Sequence, residues 1–397
     1  MICVETQFFN LNRILLLAVG LWPYQRTKLI RLQMILFFSI LTSFIIFQLT
    51  ALITTECTLE FIIKVFSTAM FFSRYVIIYN SFWVNAHSVK CLLEQLQDIC
   101  DQLKDKNEIA IIGKYGNIAK YCTTICKRLY LTIALCGAFI AILLPIWSQI
   151  FDTAFHINES RQTVQIVTEY FVDQEKYFYL ISLHQNAVIC IGMTTLAGTG
   201  TTLLAYVTYA CGMFKIASYR MENAMTTKVL QNINLINQIM IHKKINDAVE
   251  IHCKAIKFCE FLTSTFEDSF FPLLIIDVIS LSLNFYGIFR NASLGDNEAI
   301  LLHLLFAFVI LLYMFIINFV GQEIINHNNH VYFTAYNSQW YDAPLHIQKL
   351  ILFVLLRGRQ TYTLNIGGGV FVASLECFAT LTKASMSYFT FMYSMEE

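Results

Sequence analysis

The chain has 397 residues, 57% hydrophobic and only 14% charged, against about half and about a quarter in soluble proteins, so the excess needs lipid rather than a larger core. Its 27 basic and 27 acidic residues cancel and the basic ones are spread over several loops, which indicates neither a nucleic-acid surface nor a polybasic lipid patch. Of the 12 cysteines only Cys57 falls in a predicted outside loop, so no long-range extracellular disulfide is expected.

The run Ile14 to Trp22 follows Arg13 and contains Ala18-Val19-Gly20, which imitates a signal peptide. It is short for one, and Pro23 and three more basic residues follow before the first long apolar segment. It reads as an amphipathic interfacial helix. A hydrocarbon core of about 30 Å needs about 20 apolar residues per helix. That ruler predicts an all-α polytopic membrane protein with seven spans, at about 33–54, 61–84, 129–150, 180–205, 270–289, 300–320 and 370–395. Glu56 and Glu60 mark a tight acidic turn after span 1. Segment 85–128, with the amphipathic run Cys91 to Leu96, reads as a helix beneath the membrane or an inward extension of span 2.

Residues 151–179 form the one sizeable outside loop and hold the sequon Asn158-Glu159-Ser160. A second sequon, Asn291-Ala292-Ser293, lies between spans 5 and 6, so Asn158 and Asn291 are glycosylation candidates. The apolar pattern of span 4 runs on through Phe214, longer than a bilayer requires, so its lower end is expected to project. Segments 206–269 and 321–369 read as a cytoplasmic helical anchor region within a single membrane domain. The second includes the amphipathic stretch Leu345 to Leu356 and Gly367-Gly368-Gly369, a hinge without the Lys-Ser/Thr of a phosphate loop.

On this layout Arg161, Lys176 and Arg290 lie outside, Lys64, Arg74 and Lys383 within spans, and the other 21 basic residues on the side of Arg13, Arg26, Lys28 and Arg31. The positive-inside rule therefore predicts a cytoplasmic N-terminus and an extracellular C-terminus. That is the reverse of a G-protein-coupled receptor, and spans 6 and 7 also lack the prolines that kink such receptors.

In span 7, Thr380, Ala384, Ser387, Phe391 and Ser394 share one helix face by their spacing of three and four. A small, hydroxylic face can line water, with the Phe391 ring gating by dewetting; such faces also mark helix packing. Lys383 would repel a permeant cation and is expected to turn to a carbonyl or to the cytoplasm. Lys64 is near enough to the outer end to snorkel, and Arg74 is placed to pair with a neighbouring helix or to mark a functional site. Aromatic residues make up 15% of the chain, and Phe66, Phe71, Phe72, Phe139, Trp147, Phe306 and Phe308 suit either packing or the walls of an apolar ligand pocket. His327 and His330 share a helix face without a further ligand nearby, and Cys122 and Cys126 lack zinc or redox spacing, so no metal or cofactor is expected. No carboxylate pair or nucleophile–base arrangement stands out, which gives no reason to expect an enzyme.

Several stretches together resemble the insect odorant receptors. Asn12-Arg13 with Gly20-Leu21-Trp22-Pro23 is similar to that family's entry segment, and Ala210-Cys211-Gly212-Met213-Phe214 with Tyr219-Arg220-Met221-Glu222 to its motif at the lower end of span 4. Asn337 to Tyr341, Ile351 to Arg357, Ser374-Leu375-Glu376 and Ser387-Tyr388-Phe389 resemble its approach to span 7 and its last helix. The resemblance implies a subunit of a tetrameric, odorant-gated, nonselective cation channel in the plasma membrane of olfactory neuron dendrites. Its partners would be the odorant co-receptor (Orco), a small volatile or lipid-like apolar ligand, permeant cations and membrane lipids. The family pattern places the ligand among Phe66, Met70 and Phe71 of span 2, Ile140, Leu144 and Trp147 of span 3, His184, Ile189 and Met193 of span 4, and His303 and Phe306 of span 6. It places the pore along Thr380, Ala384, Ser387, Phe391 and Ser394, with Phe391 as gate. Ser394 stands where the co-receptor type has Gln, and that type's longer cytoplasmic insertion is missing, which implies a tuning subunit. The alternatives are a gustatory-type channel, whose closing Gln-Phe is absent at Ser387-Tyr388-Phe389, and a G-protein-signalling receptor with an outside N-terminus.

Overall fold

The computed structural model describes residues 9–25, 27–55, 58–128, 166–173, 176–225, 235–358 and 362–395. Predicted span 3, with Phe139, Ile140, Leu144 and Trp147, and the sequon at Asn158 lie outside the described residues. The helices in chain order are α1 (Asn10–Ala18), α2 (Lys28–Thr54), α3 (Leu59–Val84), α4 (Ala86–Gln102), α5 (106–128), α6 (Phe178–Ala224), α7 (Leu235–Leu294), α8 (Asn297–Asn337), α9 (Leu345–Gly358) and α10 (Leu375–Ser394). Side-chain caps begin four of them, where Thr27, Thr58, Asp296 and Ser374 accept from the main-chain N–H three residues on.

Among the described residues α2, α3, α6, α7 and α8 are long and apolar enough to cross a membrane, which makes the chain an all-α polytopic membrane protein. α10, the predicted span 7, is 20 residues long but less apolar, because Ser and Thr hydroxyls and Lys383 are spread along it. α6, α7 and α8 run 47, 60 and 41 residues. At about 1.5 Å per residue they are roughly 60 to 90 Å long, two to three times a hydrocarbon core. They meet α2 and α3 at one end, here the loop end because the turns after Thr54 and Leu294 lie there, and extend beyond them at the other, the projecting end. There Met221, Ala224, Ile241, Ile245, Ala248, Ala335 and the α9 residues Ile347, Ile351 and Leu355 form a second, separate core.

Three local expectations change. The anchor segment and span 5 are one unbroken helix, α7, with Pro272 inside it. Ile251, Ala255, Phe258, Leu262 and Phe266 recur at three and four residues and are all buried, so packing carries the helix up to the proline. The loss of one main-chain hydrogen bond there is tolerated.

The apolar side of α1 packs against protein. Phe9, Asn12, Leu16 and Val19 are buried, and Gly198 of α6 makes room for Leu15 and Leu16. The Asn12 amide donates to Thr201 at 3.0 Å and accepts from Thr123 at 3.4 Å, while the Tyr79 hydroxyl donates to the Val19 carbonyl at 2.9 Å. The amphipathic pattern is real, but its apolar side faces protein.

The triglycine is a hairpin turn rather than a hinge. Asn365–Ile366 (β1) pairs antiparallel with Phe371–Val372 (β2), and Gly367, Gly368 and Gly369 have φ of 66°, 66° and 90°. The Gly368 N–H donates to Glu267 at 2.6 Å, and Ala373 lies against Gly321 of α8 so closely that a Cβ there would meet its carbonyl oxygen.

Candidate ligand site and pore face

At the loop end α2, α3, α6 and α8 bring aromatic rings together. Phe71 stacks on Phe306 at 4.2 Å, Phe72 meets Phe44 edge-on at 4.8 Å, and both touch Tyr75. Tyr75 lies against Gly192, the only residue type its ring leaves room for, and its hydroxyl donates to the Met193 sulfur at 3.2 Å. The geometry is that of interlocked edge and face contacts, which fix ring positions more closely than aliphatic packing does. Phe66 and Met70 are half-buried beside the cluster on α3. Ile189 is 39% and Phe308 62% exposed, on the outward sides of α6 and α8.

His184 is tied on both ring nitrogens. Its Nε2–H donates to the Ile40 carbonyl at 3.3 Å, with Ser43 at 3.2 Å, so Nδ1 accepts from the Tyr170 hydroxyl at 2.7 Å. His303, one turn from Phe306, is buried, and its Nδ1 lies 3.0 Å from Asn284 Oδ1 on α7.

Asn284 belongs to a polar stripe that sequence reading passed over: Asp277, Ser280, Asn284 and Asn291 recur at three, four and seven residues on α7. Its signal was available, since a carboxylate followed at helical spacing by two amides is unusual inside a span. Asp277 pairs with Arg74 at 2.8 Å, both almost fully buried, and the Arg74 guanidinium lies 4.8 Å from the centre of the Tyr313 ring. Arg74 therefore has the neighbouring-helix partner expected of it. Lys64 is exposed near the start of α3. The Asn291 amide is held by the Gly287 carbonyl at 2.7 Å, within the last turns of α7.

α10 is divided lengthwise. Leu381, Ser385 and Phe389 are buried, with Phe389 stacked on Phe289 of α7 at 4.8 Å. On the other side Thr380, Lys383, Ser387, Phe391 and Ser394 are exposed, Phe391 by 62%, and Ala384 is half-buried at the margin. The Thr380 and Ser394 hydroxyls donate back to the Glu376 and Phe391 carbonyls, so each keeps oxygen lone pairs facing outward.

The projecting end is clasped by polar contacts. Glu108 of α5 holds Arg220 of α6 through two bonds of 2.6 and 2.9 Å, and Arg220 also donates to the Asp247 carbonyl of α7. The hydrogen bonds it donates to Glu108 hold the guanidinium above its ordinary pKa. His327 and His330 turn to different partners. The first accepts from the Tyr115 hydroxyl at 2.8 Å and donates to the Glu323 carbonyl; the second meets Lys215 at 3.3 Å and Ser218 at 3.0 Å. Burial pushes the Tyr115 phenol up to about 12, which keeps it a donor.

This architecture has counterparts. The structure of the olfactory receptor OR5 from Machilis hrabei in complex with eugenol superposes with a TM-score of 0.76 at 15% identity, covering 99% of this chain and 98% of that one. The structure of the same receptor described without that ligand gives 0.76 over 97% of each chain. In sequence, odorant receptor 9a of Drosophila melanogaster is 23% identical over 220 residues, which span 55% of this chain and 52% of that protein. Odorant receptor 10 of Aedes albopictus is 25% identical over 118 residues, 31% of its length. The chain thus spans about half or less of these two relatives. The family model described as the seven-transmembrane odorant receptor matches residues 58–386, from the start of α3 into α10 and so across both the aromatic cluster and most of the divided helix. With that match spanning most of its length, the chain belongs to the insect odorant-receptor family.

Proposed function

We propose that this chain is the odorant-binding, tuning subunit of a heterotetrameric, odorant-gated, nonselective cation channel that it forms with the co-receptor Orco. On this reading it crosses the plasma membrane of olfactory neuron dendrites seven times, with the loop end outside, the projecting end and the N-terminus in the cytoplasm, and α10 as the last span. The observation that carries it is the division of α10. One side is packed against the bundle, and the uncovered side carries a stripe, Thr380, Ala384, Ser387, Phe391 and Ser394, that is small and hydroxylic apart from the Phe391 ring and is flanked by the exposed Met386, Tyr388 and Tyr393, as expected of a helix that lines water once subunits assemble. The aromatic cluster at the loop end suits a mostly apolar ligand held by shape. Binding opens the channel only through a higher affinity for the open conformer.

The test is whole-cell current in cells expressing this chain with and without the co-receptor, during brief odorant pulses and with G-protein signalling blocked. Rapid cation current only with both subunits is the expected result. Current from this chain alone removes the tuning-subunit reading, and current lost on G-protein block removes the channel.

A further inference from the structure

We infer that His303 is the hydrogen-bond acceptor of the ligand site, and that the site favours ligands carrying a hydrogen-bond donor, alcohols and phenols, over isomers that lack one. This rests on the ligand-site reading above and adds the chemistry of the ligand's polar group.

The inference follows from counting donors. The Ser280 main-chain carbonyl has no proton to give, so the Asn284 atom 2.7 Å from it is the amide nitrogen, donating. Asn284 must then present its oxygen to His303, 3.0 Å from Nδ1. An oxygen acceptor at that point keeps the ring proton on Nδ1, and a neutral ring then carries its lone pair on Nε2. Neutrality follows from the site. The side chain is 3% exposed within a membrane span and its hydrogen-bond partner is an amide, not a carboxylate.

Nε2 has no hydrogen-bond partner among the described residues. A lone pair without a donor in this largely apolar setting costs free energy that a bound donor would recover. His303 and Phe306 lie about one turn apart on α8, and Phe306 stacks on Phe71, so the His303 ring is next along the helix from the aromatic cluster, with its Nε2 beside Gly287 of α7. Gly287 makes this placement possible, because a Cβ there would lie 2.6 Å from Nε2. The other histidine of the site, His184, is satisfied at both nitrogens. Gln48, buried one turn from Phe44 without a partner among the described residues, offers a donor and an acceptor together and so does not choose between the two ligand types.

Isomer pairs isolate the proton: n-octanol against heptyl methyl ether, and para-ethylphenol against para-methylanisole. Two readouts are used, odorant-evoked current with the co-receptor present and thermal stabilisation of the detergent-purified chain. The alcohol or phenol is expected to act at about tenfold lower concentration than its ether, the factor that one net hydrogen bond of about 1.4 kcal/mol supplies. His303→Phe, which keeps a ring, should bring each pair to within about twofold while the ethers keep their potency. Asn284→Leu keeps His303 but frees the ring proton to sit on either nitrogen. It should narrow the gap from the other side, by raising the effect of the ethers and of octanal.

An alcohol preference that survives His303→Phe overturns the assignment, and so does an unmodified chain with no such preference in either readout. Stabilisation by alcohols without current supports His303 and sinks the channel reading. Current without an alcohol preference does the reverse.

Discussion

Gly321 shows how tightly single positions constrain this molecule. A Cβ there would collide with the Ala373 carbonyl oxygen, a main-chain atom that cannot swing aside. Gly321→Ala should therefore separate α8 from the hairpin that leads into α10, at a cost of about 1 to 3 kcal/mol. A lowered thermal midpoint of the purified protein checks this, and an unchanged midpoint would show that the hairpin gives way freely. His330 acts through charge. Burial first, and then the Lys215 ammonium 3.3 Å away, lower its pKa from 6.5. The unfolded chain then takes up the proton more readily, so the stability tied to the neutral ring is present above about pH 6.5 and is lost as pH falls below it. His330→Gln should flatten the fall in thermal midpoint between about pH 7.5 and pH 5.5. A slope as steep as that of the unmodified protein would place the titration elsewhere.

Between helices, the decisive contacts join elements far apart in sequence. The Arg74–Asp277 pair ties α3 to α7 where both partners are sealed from solvent. Removing one partner leaves a buried charge without its opposite, so Arg74→Ala or Asp277→Ala should each cost about 3 to 5 kcal/mol. The apolar pair Arg74→Met with Asp277→Leu should recover most of that loss, since neither ion then has to be desolvated. If the double variant is as unstable as the singles, the pair holds up more than itself. Glu108→Gln should cost less, about 1 to 2 kcal/mol, because Arg220 is partly solvated and keeps the Asp247 carbonyl.

These pairings also mark how far the sequence could be read. Spans 1, 2, 4 and 6 are legible because length and apolarity are local, and their predicted ranges fall within α2, α3, α6 and α8. That Arg74 would seek a neighbouring helix followed from the cost of its charge, but the choice of Asp277 depends on packing angles no window of sequence contains. Asn284 is a clearer case. Alone it is a polar residue in an apolar helix, and only beside Ser280 and His303 does it acquire a direction. The buried seat of α1 and the hairpin at 365–372 were hidden for the same reason, since their partners Thr201, Tyr79, Glu267 and Gly321 come from other segments.

For the whole molecule, the proposed channel reading rests most on the exposed face of α10. With the co-receptor present, Phe391→Ala should raise the current that flows without ligand, because the ring is the one large apolar group in the stripe Thr380, Ala384, Ser387, Phe391 and Ser394. Unchanged basal current in a well-expressed variant would take Phe391 out of the gate. The unbroken length of α7 bears on how any such movement is shared. A rod of roughly 90 Å has little freedom to deform along its length, so the helix that touches Phe389 near one end and Ile347 of α9 near the other behaves as a lever. Its weakest link is Pro272, where one rung of the ladder is missing. A tilt of about 3° at that pivot carries the Leu294 end, roughly 33 Å away, through roughly 2 Å, comparable to the helix displacements that switch other proteins between states.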